Sequence, residues 1–302
     1  MSFARTDLAD LAIFLAIARH RNFRQAGLEL GVSASALSHA LKGLEARLNV
    51  RLVNRTNRSV TLSAAGEDLL AALRDPFDAV VHAEDVLNQH RDAPRGRIRL
   101  NVPEVAADML LAPVLPEFVR RWPDIELDIC VENRMLDVFD GGYDAGIRFG
   151  GTVPDDMTVQ RLSAEIPWCI AGAPAYLAEH GEPVHPQDVA RHQCLQFRLG
   201  DNTMYRWEFD RGGESLAIAV PGTIIHNAAP FARSLARRGV GLIYAPEASL
   251  AEDLAAGTLK QVLAEWVSPG PALHVYYPGR RNLPLGLKLL IDLIREMRPL
   301  GF

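Results

Sequence analysis

Apolar residues recur along this chain at more than one spacing, and the changes between spacings divide it. From residue 23 to 48 they come three and four apart: Phe23, Ala26 and Leu30, then Leu37, Leu41, Leu44 and Leu48. That spacing puts one apolar face on each of two helices. Gly31 stands where the turn between them begins, and Ser33 where a hydroxyl can cap the second. Residues 52–62 alternate apolar and polar on two arms around a tip of Arg55, Thr56, Asn57, Arg58 and Ser59, which predicts a hairpin. From 63 to 89 a helical pattern returns, with Leu73, Val80 and Leu87 every seven residues, Leu69, Pro76 and Ala83 in a second row, and Leu70 and Phe77 beside it. A narrow apolar stripe on a long helix predicts a dimerisation seam along Leu73, Phe77, Val80 and Leu87, or else packing on its own domain. Pro76 removes a backbone hydrogen bond and predicts a kink.

Residues 91–96 are polar and turn-rich, and beyond them short strands alternate with helices. The pattern predicts a strand over 97–102, a helix to about 121 that stops before Pro123, strands over 125–131 and 145–149, and a short helix between them to Asp140. This βαβαβ unit implies a parallel sheet with helices on its faces. Further strands are expected at 166–171, near Leu195, Arg206 and Leu216, and at 240–244 and 273–277. Helices are expected at 174–179, 186–192, 228–238 and 284–297. Two similar α/β halves with crossings near 162–165 and 266–269 predict a bilobal binding module. The layout is therefore a head (1–62), a long helix (63–92) and a bilobal binding module (93–302); the resemblance given below implies that the last two are a linker helix and an effector-binding domain. Its lobe I comprises 93–163 and 268–302, and its lobe II 164–267. No internal repeat or low-complexity tract appears.

Two helices around a tight turn, followed by a basic hairpin, are the layout of a winged helix-turn-helix, which sets one helix in the major groove of DNA. Ser35, Ser38, His39 and Lys42 point away from the apolar face of the second helix. With Ser33 and Ala34 at its start and Arg24 on the first helix, they form the candidate DNA-reading set. Arg55, Thr56 and Arg58 at the hairpin tip suit phosphate or a minor groove. The plainer alternative is an amphipathic helical hairpin with a solvated turn. Charge separates the two. Residues 1–62 hold nine Lys or Arg against four acids, in a chain whose formal net charge is −5. A basic head on an acidic body points to nucleic acid at one end only.

At 302 residues and 48% hydrophobic, the chain can form two or three compact units. It has no apolar run of membrane length and no secretory signal; 8–18 is interrupted by Asp10 and is too short. Cys130, Cys169 and Cys194 are scattered and odd in number, which suggests reduced thiols and a cytoplasmic protein. His185, His192 and Cys194 match no standard zinc spacing. There is no Gly-x-Ser-x-Gly, phosphate loop or His-Glu-x-x-His, and Gly239-Val240-Gly241 lacks the third glycine of a dinucleotide fingerprint. No metal, no cofactor and no enzymatic activity is expected.

The head resembles the N-terminal domain of LysR-type transcriptional regulators. The likeness is long and ungapped: Ala26, Leu30, Val32, Ser33, Ala36-Leu37-Ser38, Leu44-Glu45, Val50-Arg51-Leu52, Asn54-Arg55-Thr56 and Ala65-Gly66-Glu67. Ala34 stands where the family usually has Gln, Ser35 where Pro is common, and His39 where Arg is usual; all three bear on base preference. Gly27 replaces the usual Ala, at a cost of roughly 1 kcal/mol in a helix interior. The run 206–209 and the run from His274 to Arg281 look like a CrgA-like subgroup. The resemblance implies an antiparallel pairing of linker helices and an effector domain like a periplasmic solute-binding protein. It also implies a homodimer or dimer of dimers on promoter DNA, with RNA polymerase a further candidate partner.

In open α/β sheets, ligands sit beyond the carboxyl ends of strands, at helix N-termini. That places an effector among Val102, Pro103, Glu104, Val105 and Ala106 at one strand end. Asn133 and Arg134 stand at the next, with Arg148 and Phe149, Phe197, and Asn227 at others. Each has a structural alternative. Asn133 and Asn227 can cap helices, Arg148 can pair with Asp144 or Asp140, and Glu104 can be a first-turn acid favouring the helix dipole. Ala106 and Ala107 stand where many family members present Ser or Thr, while Arg134 and Arg148 admit a carboxylate. The reading is a LysR-type regulator controlled by a small molecule between two lobes. Its rivals are a binding protein or enzyme whose helical head docks a non-DNA partner, and a non-specific architectural DNA binder.

Overall fold

The computed structural model describes residues 5–55, 60–88, 93–134, 142–151, 157–278 and 283–302. The chain falls into two compact units, one of Met1–Asp92 with Asp140–Gly142 and one of Ala93–Phe139 with Tyr143–Phe302.

The first unit opens with α1 (Arg5–His20), α2 (Phe23–Leu30) and α3 (Ala34–Leu48). Helix α1 runs through the segment that the pattern marked only as too short for a membrane. It brings Phe14, Ala16, Ile17 and Ala18 onto Ala26, Leu37, Leu41 and Leu44 in one core. The Asn22 side chain caps α2, and Gly31 closes it with φ +66°. The Ser33 hydroxyl accepts the N–H of Ala36 and caps α3. Leu30 and Leu48, expected on the apolar faces, are 37% and 46% exposed. Each is the last residue before a left-handed cap, Gly31 or Asn49, where the chain turns off the core. Gly27 proves to be more than a helix penalty. A Cβ there would lie 2.6 Å from the carbonyl oxygen of Val32, so the tight turn needs the glycine.

Strands β1 (Val53–Arg55) and β2 (Val60–Leu62) form the antiparallel wing, with Asn54 opposite Thr61. Helix α4 (Ala64–Asn88) follows and runs on through Pro76. Its start is pinned beneath the wing, because Ser63 Oγ accepts the N–H of Gly66 and a Cβ on Gly66 would lie 2.2 Å from the Leu52 oxygen. Leu69, Leu70 and Leu73 pack on the core of the head, so the own-domain alternative holds at that end of the stripe. Phe77 is half-buried, Val80 is 69% exposed, and the Leu87 side chain lies outside the described residues.

Lobe I of the second unit contains β3 (Gly96–Val102), α5 (Glu104–Ala106), α6 (Leu115–Arg121), β4 (Ile125–Val131), β5 (Ala145–Phe149) and β6 (Met157–Arg161). Helix α5 continues into a π-turn over Ala107–Leu111, so the helix expected to reach 121 is broken before α6. Lobe II holds β7 (Trp168–Gly172), α7 (Pro174–His180), a 3-10 turn (Pro186–Arg191) and β8 (Gln196–Phe197). It continues with β9 (Trp207–Arg211), β10 (Glu214–Ile218), β11 (Ile225–His226), α8 (Ala229–Arg237), β12 (Ile243–Pro246), α9 (Glu247–Ala256) and β13 (Lys260–Val262). The chain then returns to lobe I with β14 (Leu273–Pro278) and α10 (Leu285–Met297).

Neither lobe is the all-parallel sheet that the βαβ pattern implies. In lobe I the order is β4-β3-β5-β14-β6. Strands β3, β4 and β5 are parallel, but β14 enters antiparallel between β5 and β6. In lobe II β12 and β13 both flank β7 antiparallel, while the short β8–β11 pair and the Cys194–Leu242 bridge are parallel. One core fills lobe I around Leu100, Phe118, Ile147, Val275 and Ile291, and two smaller ones fill lobe II.

Candidate DNA-reading face and interlobe cleft

On α3 the buried residues Leu37, Leu41 and Leu44 hold the opposite side in the open. Ala34, Ser35, His39 and Lys42 lie exposed there, and Arg24 is exposed on α2. Ser33 is engaged twice, as the cap and through its hydroxyl against that of Ser35 at 2.9 Å. Ser38 is half-buried and accepts from Arg55 Nη1 at 2.7 Å. Arg55 is therefore not extended from the wing. Its guanidinium lies over the Phe23 ring, 4.0 Å from the centroid, and burial pulls its pKa below the usual arginine value. It ties the wing to α2 and α3. Thr56 and Arg58 lie outside the described residues.

The pattern reading missed Glu45. Its Oε1 accepts the N–H of Leu52 at 2.8 Å and of Val53 at 3.1 Å, fastening α3 to the first wing strand. A signal was present, because an acid in a basic head needs an internal use. Two of the others show the same thing: Asp10 pairs with Arg47, and Glu29 with Arg19 at 2.8 Å and with His20.

In the second unit, Val102 and Ala106 are buried in the core of lobe I, and Pro103 is buried at the start of α5. The N–H of Glu104 donates to Asn133 Oδ1 at 3.1 Å, and Asn133 Nδ2 donates to the Asn227 carbonyl at 2.8 Å. Asn133 is thus a helix cap and a contact with lobe II at once. Asn227 uses its carbonyl, and the N-cap of α8 is Ala228. Glu104 Oε2 accepts the N–H of Ala229 from lobe II at 2.9 Å. Gly200 closes on the same place, since a Cβ there would lie 2.5 Å from the Asn133 oxygen.

Arg148 is 5% exposed. It donates to the carbonyls of Asn101, Ile147, Glu132 and Arg134 at 2.7–3.3 Å, and to Asn101 Oδ1. These bonds staple the 132–134 loop to β3, and burial lowers the arginine's pKa. Its expected partner Asp144 instead accepts the N–H of Arg99 at 2.8 Å, and Asp140 lies outside the described residues. Arg134 is exposed and pairs with Glu132 at 3.3 Å. Phe149 leans on Trp168 of lobe II with centroids 6.1 Å apart, and Trp168 stacks on Tyr244 at 5.1 Å. Phe197 stands edge-on to His226 at 5.3 Å, and burial pulls the His226 pKa down.

A cavity of about 380 Å³ opens between the lobes, walled by Glu104, Val105 and Met109 from lobe I and by Ala229, Arg233 and Leu250 from lobe II, among others. Of the expected effector residues, Glu104 and Val105 line it, whereas Val102, Ala106 and Arg148 do not. Gly200, Ala229 and Arg233 were not foreseen; only the Gly and the entry to α8 left any trace in the sequence. Among the described residues no cluster of His, Cys, Asp and Glu could hold a metal ion, and no helix is long and apolar enough to cross a membrane. Cys169 and Cys194 are buried free thiols whose pKa is pushed up to about 12.

Residues 8–67 match the family model for the bacterial regulatory helix-turn-helix protein of the lysR family, and residues 91–299 match the LysR substrate binding domain. The chain is 37% identical over 291 residues to the uncharacterized HTH-type transcriptional regulator YcaN of Escherichia coli, covering 96% of this chain and 95% of that one. It is 32% identical over 292 residues to the HTH-type transcriptional regulator PgrR of the same organism, covering 96% and 98%. Among solved structures, the full-length virulence activator AphB of Vibrio cholerae superposes with a TM-score of 0.67 at 23% identity, covering 96% of this chain and 99% of that one. CrgA of Neisseria meningitidis superposes with a TM-score of 0.59 at 24% identity, covering all of both chains. At these identities the likeness is one of fold, and it does not single out a CrgA-like subgroup.

Proposed function

Because the chain belongs to the LysR family of transcriptional regulators, we propose that its head reads a partly palindromic promoter site and that a small molecule in the interlobe cleft alters how two such heads are presented. The observation that carries the reading is α3. It is capped at Ser33, seated on the core by Leu37, Leu41 and Leu44, and open on the side bearing Ser35, His39 and Lys42. Those side chains reach base edges and phosphates when the helix lies in a major groove. Two heads on one site require a dimer or a dimer of dimers, and the exposed Val80 on α4 supports pairing along that helix. RNA polymerase is the further partner proposed, the cytoplasm the compartment, and no catalytic step is assigned.

The test is a mobility shift on DNA from upstream of the chain's own gene. A regulator prefers its operator over competitor DNA by at least about 10³. An architectural binder shows little preference, and a head that docks a protein shows no shift.

A further inference from the structure

Ser33, Ser35 and Ser38 bring three hydroxyls to α3 and its cap, and each has a different use. The Ser33 oxygen accepts the N–H of Ala36 and caps the helix. Ser35 is bonded to Ser33, and either hydroxyl can be the donor in that pair. Ser38 is bonded to Arg55 Nη1 at 2.7 Å, and this bond has only one direction. A guanidinium has five N–H donors and no acceptor, so the Ser38 oxygen must accept. The Ser38 proton is left over and, among the described residues, has no acceptor.

Arg55 is held where it imposes this direction. It is the last residue of β1, and Glu45 fastens the start of that strand to α3. The guanidinium lies over the Phe23 ring of α2, 4.0 Å from its centroid. Stability alone would not select this placement. Nη2 is buried and, among the described residues, bonds to nothing, and burial pulls the arginine's pKa down. A desolvated charge with an unused donor costs stability, so the placement serves something else.

We infer that Arg55 is a positioning residue for sequence reading: it sets the Ser38 hydroxyl as a donor, so that Ser38 selects a base edge carrying an acceptor. This role rests on α3 being the DNA-reading helix proposed above, and Arg55 itself touches no base in it. In the major groove guanine offers N7 and O6 and thymine offers O4, whereas cytosine offers the N4 amino group, itself a donor. Ser38 therefore favours guanine or thymine over cytosine at one position of each half-site. A hydroxyl that accepts from a cation also donates more strongly, which sharpens the choice. Without Arg55 the hydroxyl rotates and can donate or accept, and the choice is lost.

The experiment is a double-mutant cycle on the full chain, with Ser38→Ala, Arg55→Gln and the two together. Each variant is titrated against a site selected from a randomised duplex library, with the bases of that site changed one at a time. A glutamine amide can accept as well as donate, so Arg55→Gln releases the direction of the bond. It should lower the preference for guanine or thymine over cytosine about fivefold at one position, the effect of one neutral hydrogen bond. Ser38→Ala should lose the same preference at the same position, and adding Arg55→Gln to it should change nothing further there. Arg55→Met, which packs on Phe23 and offers no donor, repeats the cycle should the glutamine variant misfold. An Arg55 that contacts phosphate predicts the reverse: every sequence is weakened alike, as much with Ser38→Ala as without it, and the selected site is unchanged. That result, or a Ser38→Ala chain altered at no position, or cytosine preferred at the position it alters, overturns the role of Arg55 and leaves the regulator reading standing. An unaltered chain that retains no DNA would sink both.

Discussion

Glu45→Ala should detach the wing from the reading helix. The carboxylate holds two backbone N–H groups, those of Leu52 and Val53, at 2.8 and 3.1 Å. Both residues are only 2% exposed, so water cannot simply replace the lost acceptor. A hydrogen bond to a charged group contributes about 1.5–3 kcal/mol. Two of them, discounted because Glu45 itself is half-buried, amount to about 2–4 kcal/mol. In a unit of this size 1 kcal/mol moves the unfolding midpoint by about 4–8 °C, so the head should melt at least about 8 °C lower. Both bonds end on the same oxygen, Oε1. Glu45→Gln, which keeps an oxygen and loses the charge, should therefore cost about half as much. Circular dichroism on the full chain reads the midpoint, and operator titration at several salt concentrations reads the consequence for DNA. A loosened wing presents fewer cations to phosphate, so affinity and the magnitude of the salt slope should fall together. An unchanged midpoint with unchanged DNA affinity would refute the reasoning, because it would mean that the two N–H groups are satisfied without Glu45.

His39→Ala should alter base preference at one position of each half-site by roughly 1–3 kcal/mol, read by selection from a randomised site library. An identical selected sequence would remove His39 from the contacts. Val80→Glu should break pairing along α4, because the 69% exposed valine is expected to be buried by a second copy, where an unpaired charge is costly. Sedimentation showing a dimer with full operator affinity would count against that. His192 and His226 have pKa values lowered by burial, so the folded state disfavours their protonation. Their stabilising contribution is complete above about pH 6.5, the unfolded value, and is lost as the pH falls below it toward the lowered folded values. Unfolding midpoints should drop over that window, with a shallower drop in His192→Gln; parallel curves would show that this histidine is not involved.

What was legible in the sequence was what local pattern determines. The caps at Ser33 and Gly31, the buried Leu37, Leu41 and Leu44, and the strands at 125–131 and 145–149 all follow from spacing and from turn residues that act within a few positions. What was missed depends on partners distant in the chain. Strand β14 enters lobe I antiparallel to β5 and β6, more than 110 residues away, and nothing in its own apolar run encodes that direction. Strand β6 is half polar at a sheet edge, and β13 is three residues long, too short to show a period. Arg148 was read as a cleft cation because its charge is visible in a sequence. Four of its five hydrogen bonds end on backbone carbonyls, which no residue name reveals. Glu104 hid its role for the same reason: its partner is the N–H of an alanine. Gly27 looked like a cost until the turn around Val32 showed why no Cβ fits.

The central claim is that α3 reads a symmetric DNA site. The most direct measurement is enrichment of DNA by the full chain from a randomised duplex library, with sequencing of what is retained. The account predicts a partly palindromic site whose half-sites lie about one helical turn, or a multiple of it, apart, bound at least about 10³ tighter than unselected DNA. Retention without sequence enrichment, or no retention at all, would contradict it.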